Sequence, residues 1–150
     1  MFNKIHKILI LTLLMPLPAV AETYCRDVIA VGATYATGQT TFMGEADSSV
    51  GQMSVNVEIT STRPNADGSI NATTSHRFST RGLVFTTRDR ARLVPLNDVG
   101  LYRLDTQATI TEGDWLQRRV WGQLKLDGLI DLGARQPWAR WLAEGVICAQ

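Results

Sequence analysis

The sequence predicts an all-β chain: a single antiparallel β-barrel, with a β-sandwich as the alternative, its ends tied by one disulfide. Three observations carry this. Apolar and polar residues alternate with period two over long stretches, as in strands that bury one face. Clusters rich in Pro, Asn, Asp and Gly separate those stretches, as turns between strands do. The two cysteines, Cys25 and Cys148, stand at the two ends of the expected domain.

The start of the chain reads as a secretory signal covering residues 1–21. Lys4 and Lys7 form a basic leader, Ile8 to Met15 is apolar but for Thr12, and Ala19-Val20-Ala21 supplies the small residues of a cleavage site. A transmembrane anchor needs about 20 apolar residues. This run is shorter and is followed by Pro16 and Pro18. Residues 22–150 are then the barrel domain, of a length that suits one core. Loss of Lys4 and Lys7 takes the net charge from +1 to −1, because no acidic residue leaves with them. That balance argues against nucleic acid as a partner, which calls for a basic excess. No stable membrane anchor is expected after cleavage.

In a periplasmic or secreted protein, two cysteines read as a disulfide. A bridge from Cys25 to Cys148 closes a long loop, worth roughly 4–5 kcal/mol in the chain-entropy model. No CxxC is present and two cysteines make an incomplete zinc site, so neither a metal nor another cofactor is expected.

The elements follow in order. Met53, Val55, Val57 and Ile59 share one strand face, with Gln52, Ser54, Asn56 and Glu58 on the other. After the turn Arg63 to Ser69, Ile70, Ala72, Thr74, His76 and Phe78 align on one face. A second turn spans Pro95 to Gly100. Beyond it, Tyr102, Leu104, Thr106, Ala108 and Ile110 oppose Arg103, Asp105, Gln107 and Thr109. A third turn is expected at Thr111 to Asp114. Next, Val120, Leu124, Leu126, Ile130 and Leu132 oppose Gln123, Lys125, Asp127 and Asp131. Gly122 and Gly128 inside that pattern suit tight barrel bends. Residues 137–145 fit either state. Pro137, the i, i+3, i+4 spacing of Trp138, Trp141 and Leu142, and Gly145 slightly favour a short helix. The terminal Gly-Val-Ile-Cys is strand in either case. A closed barrel is preferred to a sandwich because closure removes exposed edges.

The segment from Thr86 to Cys148 resembles small exported bacterial proteins with an allene-oxide-cyclase-like, calycin-related barrel. The resemblance rests on Gly100 with Tyr102, Ile110 with Gly113, Gly122 with Leu124, Gly128 with Asp131, and Gly145 with Cys148. The turn departs from the family's G-T-G-x-F, reading Gly113-Asp114-Trp115. The resemblance implies an antiparallel barrel. It does not bring over the plant enzymes' cyclase activity, whose catalytic residues have no assignable counterpart here.

Nucleophile-elbow, phosphate-loop, dinucleotide and zinc-protease motifs are absent. His76, the one histidine left after cleavage, falls on a core-facing register. There an imidazole serves as a general acid or base, or as a buried ring with one satisfied hydrogen bond. Tyr102 is a second candidate donor, with a purely structural tyrosine as the alternative. Arg88, Arg90 and Arg92 alternate into a basic ladder, suited to an anionic ligand or acidic partner, or simply to a solvated face. Asp127 and Asp131 share an outward register and are read as solvated. Trp115, Trp121, Trp138 and Trp141 crowd one part of the sequence. They are candidates for an aromatic binding surface, or else pack the barrel end.

The leading functional expectation is an exported barrel that binds a small apolar or aromatic ligand at its mouth, with binding favoured over turnover. A cyclase, isomerase or lyase acting through His76 or Tyr102 is one alternative. An envelope interaction or assembly protein docking through the arginine ladder is the other. Clustered polar groups inside the barrel favour the enzyme; their absence favours a carrier.

Overall fold

The alternating stretches become eight strands. The computed structural model describes residues 22–150; the predicted signal sequence lies outside them. The strands are β1 (Tyr24–Ala36), β2 (Thr41–Ser48), β3 (Gly51–Pro64), β4 (Ile70–Thr80), β5 (Leu83–Pro95), β6 (Leu101–Trp115), β7 (Arg118–Asp131) and β8 (Trp138–Ala149). Each pairs antiparallel with the next, and β8 returns to β1 to close the barrel. The barrel, not the sandwich, is the fold. No described helix is long and apolar enough to cross a membrane.

Closure is covalent as well as hydrogen-bonded. Cys25 lies opposite Cys148 in the β1–β8 register, and the two form a disulfide. Even-numbered residues of β1 and β2 face inward, as do odd-numbered residues of β5 and β8. Inward side chains are predominantly apolar, while outward positions of β4 and β5 carry Asn71, Thr73, Arg77, Arg88, Arg90 and Arg92. The outer wall is not uniform: it is polar and basic on β4 and β5, while β1, β7 and β8 expose Ile29, Val31, Leu129, Leu142 and Val146.

Two local expectations are corrected. Residues 138–149 form strand throughout, so the helix favoured for 137–145 is not formed. Trp138, Trp141 and Leu142 satisfy helical spacing, but the segment lies between β7 and β1 and pairs with both. Those two ladders outweigh local spacing. The turn expected at Thr111 to Asp114 lies further on, at Leu116 and Gln117, both with positive φ (51° and 68°). Thr111 to Asp114 belong to β6, where the pairing with β7 shifts register. Gly113 is needed there because a Cβ would overlap Val120 Cγ2. The Asp114 carboxylate accepts a hydrogen bond from Gln117 N at 2.9 Å and helps hold the displaced turn.

The barrel has two unlike ends. One carries the disulfide and the β2–β3, β4–β5 and β6–β7 turns. Phe78, Phe85, Leu83, Val55 and Val120 fill it, each at or below 2 % exposure. Phe78 stacks on Phe85 with centroids 4.9 Å apart. Leu116 N donates to Gly82 O across the end at 2.9 Å, and Arg119 and Gln150 exchange paired backbone bonds of 3.1 Å. The other end, ringed by the β1–β2, β3–β4, β5–β6 and β7–β8 loops, is hollow.

Candidate functional site: an apolar cavity with a buried histidine–aspartate pair

The hollow end contains a cavity of about 280 Å³, just under the usual range of small-molecule pockets, which starts at roughly 300 Å³. Phe42, Val57, Ile59, Leu104 and Ile130 form much of its wall, and Pro64, Ile70, Leu93 and Leu132 lie toward its mouth. Small inward residues leave the space. Ala72 and Ala91 are paired across β4 and β5, and Ala139 lies opposite Thr34 and Ile130. Leu96 and Val99 in the β5–β6 loop, with Leu132, leave an apolar lip partly exposed.

Trp141 closes one side. Its room comes from Gly32, its register partner on β1, where a Cβ would overlap the indole's six-membered ring. The indole meets Phe78 edge-on at 6.1 Å, tying the cavity wall to the packed end. Its Nε1 is buried without a hydrogen-bond partner among the described residues.

One place in this apolar space is polar. His76 on β4 lines the cavity, and its Nδ1 lies 2.5 Å from Asp89 Oδ2 on β5. Asp89 is 0 % exposed. Thr74 Oγ1 donates to the same Oδ2 at 2.9 Å, while Asp89 Oδ1 has no partner among the described residues. Beneath, Thr87 Oγ1 accepts from His76 N at 3.3 Å. The imidazole stacks on Phe78, centroids 5.6 Å apart and 11° from parallel. Ring orientation is thus fixed from two sides, by a carboxylate at Nδ1 and by an aromatic face. Nε2 forms no bond with any described residue and is not among the fully buried atoms; the free edge of the ring therefore meets the cavity.

The other residues singled out in the sequence are dispersed. Trp115 packs near Tyr24 with ring centroids 6.0 Å apart, at the disulfide end. Trp121 lies opposite Cys148 on an outward register of the same end. Trp138 lies outside the barrel near the mouth, with the Arg140 guanidinium 5.4 Å from its ring centroid. Of the four tryptophans, only Trp141 lines the cavity. Tyr102 is half-buried near the mouth but does not line it. Arg88, Arg90 and Arg92 do form an outward ladder on β5, its last member bound to Asp67 at 3.1 Å. Asp127 pairs with Lys125 at 2.8 Å, and Asp131 accepts bonds from Gly133 N and Ala134 N in the β7–β8 turn.

Asp89 went unnoticed in the sequence, although the signal was present. Where Arg88, Arg90 and Arg92 point outward, Thr87, Asp89 and Ala91 must point inward. An acidic residue in that inward set marks a buried charge needing a partner.

The fold and the site together define a disulfide-closed, eight-stranded barrel with a small-molecule-sized apolar cavity and one buried His–Asp pair. No family model matches the chain, and comparison with curated proteins and with solved structures returns no match.

Proposed function

We propose that this protein is an exported barrel that binds a small, largely apolar molecule in the open half of its interior. The observation that carries this reading is the unfilled apolar cavity beside a fully packed second half. A barrel with no ligand to hold fills its interior with side chains. Here alanines and threonines stand where larger residues would close the space. The apolar lip of Leu96, Val99 and Leu132 supports entry from the mouth. The disulfide accords with an oxidising compartment outside the cytoplasm.

The test is calorimetric titration with a two-ring aromatic hydrocarbon, for the wild type and for Ala91→Phe, which plugs the cavity. Saturable one-site binding that the plug removes is expected. Binding unchanged by the plug refutes the site.

A second reading is favoured by the His76–Asp89 pair: a barrel enzyme of the isomerase or cyclase kind in which His76 Nε2 exchanges a proton with the bound molecule. The carboxylate at Nδ1 orients the ring for that task, as the third member of a triad orients its histidine. Tyr102 has no part in this version, since it lies off the cavity wall. Turnover of a bound compound that survives His76→Gln removes the second reading and leaves the first intact.

A further inference from the structure

We infer that the cavity selects an uncharged ligand carrying one hydrogen-bond-accepting oxygen, a ketone, aldehyde or ester on an apolar skeleton, and that His76 Nε2–H donates to that oxygen. This rests on the binding reading above and adds the polarity of the ligand.

The argument is one of charge and donors. Asp89 is fully buried, and among the described residues Thr74 and His76 are its only hydrogen-bonding side chains. Among the described residues, no Lys, Arg, Asp or Glu lines the cavity. A carboxylate taken out of water is stable only against an opposing charge, and His76 is the one side chain in reach to carry it. With one proton between Nδ1 and Oδ2 and another on Nε2, the pair is net neutral. In that state Nε2 is a donor facing the cavity with nothing in the protein to receive its proton.

Four ligand classes then separate. A hydrocarbon fills the space but leaves the donor unsatisfied. A carboxylate meets the donor but puts a net negative charge into an apolar pocket that has no further cation. A neutral carbonyl compound meets the donor and adds no charge. An amine brings a cation and competes as a donor. Thr34, Thr74 and Thr106 line the same region, but hydroxyls donate and accept alike and do not discriminate. The histidine sets the preference.

The experiment is calorimetric titration of the full mature chain with three probes of one shape: 2-acetylnaphthalene, 2-isopropenylnaphthalene and 2-naphthoate. The ketone is expected to bind about tenfold more tightly than the isosteric hydrocarbon, the range of one buried hydrogen bond, and more tightly than the carboxylate. In His76→Leu/Asp89→Leu, which removes donor and buried charge together, ketone and hydrocarbon are expected to bind equally. Should that variant not fold, ¹⁵N and ¹H NMR of the wild-type ketone complex gives the same decision, because a protonated Nε2 signal that moves on binding is required. Equal affinity for ketone and hydrocarbon, or preference for the carboxylate, overturns the inference while the binding reading stands. No binding of any of the three overturns both.

Discussion

The two ends of the barrel interior are built from the same eight strands, yet one is solid and the other hollow. At the disulfide end, inward positions carry Phe78, Phe85, Leu83 and Val120, stacked and fully buried. At the loop end the same strands present Ala72, Ala91, Thr74 and Thr106, and no side chain fills the space between them. Strand length, pairing and closure are shared, so the difference lies in side-chain volume alone. The packed end holds the barrel together and the hollow end is free for a ligand. His76 lies at the boundary, stacked on the packed end through Phe78 and turned to the cavity by Asp89.

The contrast can be broken at either end. The largest effect is expected from Cys25→Ser with Cys148→Ser. The bridge spans 123 residues of sequence, so its loss costs roughly 4–5 kcal/mol in the chain-entropy model. Chemical denaturation of residues 22–150 measures it, and an unchanged midpoint shows that strand pairing alone closes the barrel.

At the boundary, His76→Leu leaves Asp89 buried with only Thr74 and is expected to cost about 3–5 kcal/mol. His76→Leu/Asp89→Leu removes both charges and is expected to recover most of that loss. If the double variant is no more stable than the single one, His76 and Asp89 are not a coupled pair.

Smaller effects sharpen the difference in packing. Ala143 is 2 % exposed and lies off the cavity, so Ala143→Leu overpacks the interior at about 1–3 kcal/mol. Ala91→Leu points into empty space and is expected to be neutral or mildly stabilising. Thermal unfolding of the two variants side by side is the check; equal losses contradict a hollow end.

The smallest effect concerns acid at the mouth. In the β3–β4 turn, hydrogen bonds from the Ser69 hydroxyl and backbone N, with a lesser contribution from Arg92, hold the Asp67 carboxyl below its ordinary value of 3.8. A lowered folded-state value means the contribution is present above the unfolded value and lost as pH falls through the folded one. Amide protection relative to the intrinsic exchange rate is therefore expected to fall in residues 65–69 below about pH 3.8, before it does at the disulfide end. Uniform exchange along the barrel contradicts this.

Much of the fold was legible because period two is a strong signal. The inward sets Met53–Ile59, Ile70–Phe78 and Tyr102–Ile110 follow from alternation, and so does the inward place of His76. The disulfide followed from two cysteines at the domain's ends. Less legible were features decided by partners. The register of β8 depends on β1 and β7, neither of which local spacing reveals. The Leu116–Gln117 turn carries no Gly or Asn to announce its positive φ.

The tryptophans misled for a geometric reason. A strand rises about 3.3 Å per residue, so the ends of β7 are on the order of 40 Å apart. Trp121 near its start and Trp138 just beyond its end therefore belong to opposite ends of the barrel, despite their closeness in sequence. Whether the cavity is empty is a matter of summed volumes across eight strands, and no single segment carries that information.

That dispersal also provides the most direct test of ligand binding in the hollow end. A variant with Trp115→Phe, Trp121→Phe and Trp138→Phe leaves Trp141, in the cavity wall, as the only tryptophan of residues 22–150. Titration with a small apolar ligand is expected to shift or quench its fluorescence saturably, and Ala91→Phe in the same background is expected to abolish the change. A ligand that binds by calorimetry yet leaves Trp141 silent would place the site elsewhere and contradict this account.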